Sequence, residues 1–330
     1  MEFISFPKIC AFRNAYKEVK EFYDYKENGV LPTLRYRNSV KLHGSNAAIV
    51  KYIEENEYSF QSRNCKLSIE KDNLGFVSFI SEKNYQVLFD IIEDIHNKKA
   101  EKHVVIFGEY CGEKIQTKVA ISKLPRMFVI FAIRFDSEWL DLEKFKTVQS
   151  INEKIYNIMQ FEKHYIDIDF KDPTKALEEI SRLTDLVNDE CPVAKSLGEI
   201  GIGEGLVWTC LDNPSSRFWF KIKGSDHHVS ASDKIAADKM KKITIEPEKI
   251  ENSNKFVDNT LTESRLNQGI EYLIETNIEL TMKSVGVFIK WIVEDIIKEE
   301  SDVIKDSDLD EKIIRREITS RAVKWYKDKY

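Results

Sequence analysis

Hydrophobic periodicity divides the chain into an α+β domain followed by an all-helical tail. Three observations carry that reading. Short β-rich runs bounded by turn residues fill 34–63 and return up to Gly224. A helical pattern interrupts them at 81–99. After Ile243 three long stretches keep helical spacing and show no strand alternation. The expected layout is a mixed domain of antiparallel sheets flanked by helices over 1–243, a linker over 244–254, and a small helical C-terminal domain over 255–330.

The elements follow in order. AYKEVKEFYDY (15–25) predicts a helix, and Asn28-Gly29 a turn. LRYRNSV (34–40), AAIVKYI (47–53) and EYSFQSR (57–63) predict three strands, with EENE (54–57) turning between the second and third. SEKNYQVLFDIIEDIHNKK (81–99) places Val87, Leu88, Ile91, Ile92 and Ile95 on one helical face, with Ser81 as cap. VVIFGEY (104–110) and the continuously apolar MFVIFAIRF (127–135) predict strands, the latter central. Two or three helices and a strand YIDIDF (165–170) are expected between Asp141 and Leu186. EIGIGEGLVWTC (199–210) and RFWFKIKG (217–224) flank the turn cluster LDNPSS and predict a hairpin. ITIEPEKIENSN (243–254) has a proline and no period, so it reads as a linker.

The net charge of −6 argues against a general polyanion binder, but the charge is segregated. Residues 244–330 hold 14 Lys and Arg against 19 Asp and Glu, so the first 243 are close to neutral and leave room for a basic cleft. The five cysteines are scattered, with no C-x-x-C pair, which fits reduced thiols and gives no zinc site. No apolar run reaches the length of a membrane span and no leader pattern opens the chain. A cytoplasmic protein with no membrane partner is expected.

The chemistry gathers around KLHGSNAAIV (41–50), where Lys41 is expected in a turn between two strands. A lysine becomes a nucleophile only on losing its proton, so a lowered pKa is expected there. Four further stretches carry polar groups where an ordinary strand would not need them. Glu109 ends an apolar strand in FGEY, and Glu204 sits between glycines in GEGLVW. Lys221 and Lys223 lie two apart in FWFKIKG and so share one strand face, while Arg63 ends the third strand. A lysine, two carboxylates able to hold a ribose or a divalent metal, and three further cations form the inventory that nucleotidyl transfer needs.

Taken together these stretches resemble the ATP-dependent RNA ligases of the RNA ligase 2 type, which include phage enzymes and kinetoplastid RNA-editing ligases. That family belongs to the covalent nucleotidyltransferase superfamily. KLHGSN is similar to its K-x-H-G-T-N nucleophile motif, IFGEYCGEKIQ to its third motif, and FVIFAI to the aromatic strand over the adenine. GEGLV and FKIKG are similar to the fourth and the K-x-K motifs, and the helical tail to the family's small C-terminal domain. The resemblance implies that Lys41 attacks ATP and carries AMP, that Glu109 binds the ribose and that Phe131 stacks on adenine. It further implies that Glu204 supports Mg²⁺ or Mn²⁺, that Lys221 and Lys223 hold the α-phosphate, and that His43, Gly44 and Asn46 orient the nucleotide. Arg63 would act on the RNA strand. Ser45, Ala47 and Ala132 depart from the family's usual Thr, aromatic and Asp.

The expected activity is ATP-dependent joining of RNA 3′-OH and 5′-phosphate ends, at nicks in duplex RNA, through lysyl-AMP and AMP-RNA intermediates, by a monomer. A capping guanylyltransferase or a DNA ligase would instead favour K-x-D-G, with an oligonucleotide-binding barrel after the K-x-K motif. A non-catalytic RNA-binding relative would have no need of Lys41, Glu204 and Lys221 together. In the tail, Arg315, Arg316, Arg321 and Lys324, with Trp325 and Tyr326, or else the surroundings of Arg265, are expected to position RNA.

Overall fold

The β-prone run Thr33–Lys41 forms the strand on which the first sheet and the candidate site are both built. A computed structural model of the chain describes residues 2–26, 30–224, 247–306 and 309–330. The chain divides into two units, Met1–Gly224 and Ser225–Tyr330. The expected boundary at 243, the first residues of the expected linker, and the Asn28-Gly29 turn lie outside the described residues.

The strands of the first unit are β1 (Thr33–Lys41), β2 (Ser45–Tyr52), β3 (Glu57–Ser62), β4 (Lys66–Leu67), β5 (His103–Cys111), β6 (Met127–Phe135), β7 (Glu138–Trp139), β8 (Ile155–Asn157), β9 (Tyr165–Asp169), β10 (Gly205–Cys210) and β11 (Phe220–Lys223). Its helices are α1 (Phe12–Lys26), α2 (Phe76–Ser81), α3 (Gln86–His96), α4 (Thr174–Asp189) and α5 (Pro192–Ser196). One sheet has the order β11-β10-β1-β9, all antiparallel. The other runs β4-β3-β2-β5-β6-β7, with β8 added in parallel to β6. β6 thus lies inside the sheet, as its unbroken apolar run required.

The two faces of each sheet differ in what they bury. In the first sheet Tyr36, Val40, Leu206, Trp208 and Phe220 point into one continuous core that also takes up α1 and α4. The opposite face carries Arg37, Lys41, Lys221 and Lys223, in register through Lys41↔Gly205↔Lys223. In the second sheet Ala47, Ile49, Ile106 and Phe128 join the main core. Ala48, Val50, Val105, Phe107 and Ala132 form a separate cluster covered by Phe6 and Trp139.

Three expectations need correction. The helix expected over 81–99 starts at Gln86, and Ser81 is the last residue of α2. Asp72 accepts from the Val77 and Ser78 N–H groups at 2.8 and 2.9 Å and so begins α2 upstream, while Phe76, Val77 and Ile80 bury its inner face. Between Asp141 and Leu186 the described residues form a single α-helix, α4, with 3-10 turns before it. Buried Asn157 organises those turns by donating to the carbonyls of Phe145 and Val148 and accepting from Met159. Finally, Pro247–Thr260 is helical where a linker through 254 was expected. Proline is well tolerated in a first helical turn, and Phe256 and Val257 anchor the segment in a core.

In the second unit this helix, α6, is followed by α7 (Glu263–Glu275), α8 (Val285–Glu299), α9 (Ser301–Asp306) and α10 (Glu311–Lys329). Thr262 caps α7 and Asp310 caps α10 through their side chains. Leu273, Phe288, Ile292, Ile314, Ile318 and Tyr326 meet in a core of their own.

The support beneath β5 and β6 is testable. Phe76 is buried against Phe60, Tyr110 and Phe128, with ring centroids 5.3 to 6.3 Å apart. Phe76→Ala is expected to cost about 3–5 kcal/mol, seen as a lowered midpoint in denaturant unfolding with an unchanged slope.

Candidate active site

Lys41 is the last residue of β1, not a turn residue, and the turn that follows is Leu42–Gly44. Its ammonium donates to Glu204 Oε2 at 2.7 Å. Lys223 Nζ lies 3.1 Å from Glu204 Oε1, and His43 Nδ1 lies 3.5 Å from Oε2. Glu204 is 3% exposed, so three side chains from β1, its turn and β11 surround a buried carboxylate. The backbone has to allow this. Gly205 adopts φ +148°, and a Cβ there would lie 2.2 Å from the Ile222 carbonyl oxygen, so glycine is needed for Glu204 to enter β10 beside β11.

The second carboxylate arrives from the other sheet. Gly44 N–H donates to Glu109 Oε1 at 2.9 Å, and Asn46 pairs in register with Glu109 across β2 and β5. A Cβ on Gly44 would meet the Tyr110 carbonyl oxygen at 2.3 Å, so this turn lies directly on β5. Ser45 is fixed by a hydrogen bond from buried Asn73 at 2.9 Å. Sequence reasoning missed Asn73, and no spacing signal marks it.

Electrostatics sets the resting protonation. Burial alone would raise the Glu204 pKa, but the Lys41 and Lys223 ammoniums hold it well below the usual carboxylate range. Burial works to lower the Lys41 pKa, but the Glu204 and Glu109 carboxylates outweigh it and raise the value above that of free lysine. The expected lowering is therefore not what this charge state gives: Lys41 rests as an ammonium. Burial, with Glu204 nearby, pushes Glu109 up to about 7 against the pull of Lys41.

The other expected residues surround this centre to different degrees. Arg63 follows β3 and is exposed, yet its charge acts on both Lys41 and Glu109. Lys221 is half-buried on the same strand face as Lys223. Phe131 occupies a bulge: the β5–β6 register passes from Gly108↔Ile130 to Phe107↔Ala132 and leaves Phe131 without a partner of its own. Its ring meets that of Phe6 edge-on at 5.0 Å, and Phe6 also contacts Phe107 and Trp139. The N-terminal Phe6 was not singled out from the sequence.

Among the described residues no three His, Cys, Asp or Glu side chains form a ready metal cage. The two converging carboxylates fit a hard divalent cation that takes its remaining ligands from phosphate oxygens and water.

With this geometry in place, residues 35–223 match the RNA ligase family model. The chain belongs to the RNA ligase family. The matched segment runs from β1 through β11 and contains Lys41, Glu109, Phe131, Glu204, Lys221 and Lys223, though not Phe6. No curated protein matches the chain. Solved structures similar to it include the Naegleria gruberi RNA ligase with PPi, at 18% identity, and a mutant of that enzyme with ATP and Mn, at 17%. Both matches have a TM-score of 0.45, cover 68% of this chain and span 57% of theirs.

The protonation of Lys41 can be read without any enzyme assay. Since Glu204 stabilises the ammonium, the free amine is a minor species at neutral pH and grows about tenfold per pH unit. Acylation of Lys41 by acetic anhydride, followed by mass spectrometry, should reach half-completion at a lower pH in Glu204→Gln than in the wild type. An unchanged midpoint would contradict the pairing.

Proposed function

We propose that the chain is an ATP-dependent RNA ligase that joins 3′-OH and 5′-phosphate ends at nicks in duplex RNA. The observation that carries the reading is the bracketing of one buried carboxylate, Glu204, by Lys41 and Lys223, with Glu109 held against the same turn through Gly44. Family membership supports RNA as the substrate over the DNA or cap structures of other nucleotidyltransferases.

In the first step Lys41, having given up its proton, forms a bond from Nζ to the α-phosphorus of ATP while the bond to pyrophosphate breaks. Lys221 and Lys223 share the strand face that would receive the α-phosphate. Glu109, held at Oε1 by the Gly44 N–H, is suited to accept from ribose hydroxyls. Phe131, braced by Phe6, offers a ring for the adenine. Mg²⁺ or Mn²⁺ held by Glu204 and the phosphates would neutralise charge on the leaving pyrophosphate. The RNA 5′-phosphate then takes AMP from Lys41. Lastly the 3′-OH attacks the phosphorus of the RNA 5′-phosphate and its bond to AMP breaks, so AMP leaves, with Arg63 near the strand. Since one chain carries the whole set, a monomer working in the cytoplasm fits.

Label transfer from ATP tests the covalent step. Lys41→Ala should abolish it, whereas Phe131→Ala should raise the ATP concentration for half-maximal labelling roughly tenfold, the loss of one stacking contact. A Lys41→Ala protein that still takes label would place the nucleophile elsewhere.

The domain assignment makes a separate claim. Residues 1–243 should form lysyl-AMP by themselves, with sealing requiring the helical unit to position RNA. A chain ending at 246 stops before α6, so it leaves that helix out entirely. It should label as fast as the full chain and seal nicked RNA at least tenfold more slowly. Equal sealing rates would remove the helical unit from the mechanism.

A further inference from the structure

β5 and β6 are antiparallel neighbours, paired to their very ends by Cys111↔Met127. Two residues suffice to join such strands. Here fifteen do so, residues 112–126, and a connection of that length inside a folded domain calls for a reason. The segment is ordered by packing into the core of the first unit. Glu113 N–H donates to the Leu124 carbonyl at 2.8 Å and closes the ends together, while Ile115, Val119, Ala120, Ile121 and Leu124 are buried.

Its outward side is cationic. The sequence GEKIQTKVAISKLPR holds Lys114, Lys118, Lys123 and Arg126 against one acid, Glu113, in a chain of net charge −6. Lys114, Lys118 and Lys123 are exposed. Lys114 and Lys118 both take left-handed backbone, at φ 64° and 69°, a conformation that long side chains adopt at some cost. Ile115, between them, is buried and anchors the backbone there.

The loop is tied to the segments that carry both carboxylates of the site. It leaves β5 three residues after Glu109. Ala120 N–H donates to the Ile202 carbonyl at 2.9 Å, and Lys123 Nζ to that of Ile200 at 3.3 Å, just before Glu204. A positively charged loop is therefore joined to the segments that carry Glu109 and Glu204.

We propose that the loop 112–126 is an RNA-backbone rim: Lys114, Lys118 and Lys123 neutralise phosphates of the strand flanking the joint and hold it beside the Lys41 centre. The inference rests on the ligase reading for its choice of RNA as the polyanion. None of the three lysines belongs to the ATP-reacting set, so loss of RNA binding and loss of adenylylation are separable.

The test uses the full chain carrying Lys114→Gln, Lys118→Gln and Lys123→Gln together, beside a triple Lys→Arg variant. Label transfer from ATP is measured first, then binding of a nicked RNA duplex at several salt concentrations. The glutamine variant should take label normally. Its RNA affinity should fall on the order of 100-fold at 0.1 M salt, and the slope of log affinity against log salt should shrink by about 3, one for each lost phosphate contact. The arginine variant should retain affinity and slope. Unchanged affinity and slope in the glutamine variant overturn the proposal, as does an equal loss in the arginine variant, since shape and not charge would then be what matters. A wild-type chain that takes no label yet shows the lysine-dependent slope would overturn the ligase reading and leave the rim standing.

Discussion

A carboxylate excluded from water must be paired or it will not stay charged, and Glu204 meets that demand with three partners. Lys41 reaches it from the end of β1, His43 from the following turn, and Lys223 from the end of β11. These groups converge only if β1, β10 and β11 are adjacent and in register at Lys41↔Gly205↔Lys223. The strand order of the first sheet, the glycine after Glu204 and the close of β11 are all conditions for that one cluster of charge.

The same cluster sets the resting state of Lys41. Paired with Glu204 and facing Glu109, Lys41 is held as an ammonium, and no lone pair is available for attack. Cations elsewhere on the face, Lys223 most directly, share the same carboxylate. Any charge that arrives at Glu204 or draws Lys223 away therefore changes the field at Lys41. Reactivity of Lys41 in this arrangement is conditional on occupancy of the site, as the proposed covalent step would require.

The helical unit manages charge in another way. Arg265 lies between Asp295 and Glu299, Arg321 between Asp258 and Glu317, and Arg315 bonds Glu311. Tyr326 is buried in the core and Trp325 stacks on Phe288. Most of the cluster expected to face RNA is thus committed to the unit's own structure, with Arg316 and Lys324 on the exposed surface. An i, i+4 spacing on α10 brings an arginine to an acid as readily as to a phosphate, so spacing could not separate the two uses.

Local patterns determined much of this protein. The alternation and apolar runs of 34–63, 104–110 and 127–135 specify strands, because a period of two can bury a face only in a sheet. The motifs from KLHGSN to FKIKG named Lys41, His43, Glu109, Glu204 and Lys223, which the fold brings together, since residue types can be read in the linear text. What remained hidden depends on contacts between distant segments. The protonation of Lys41 is set by Glu204, a residue 163 positions away. The bulge at Phe131, the bracing by Phe6 and the anchoring of Ser45 by Asn73 likewise arise only when strands and loops pack. Periodicity reports which face a residue prefers. Which charge stands opposite it is decided by tertiary structure, because electrostatic energy depends on distance in space and not on distance along the chain.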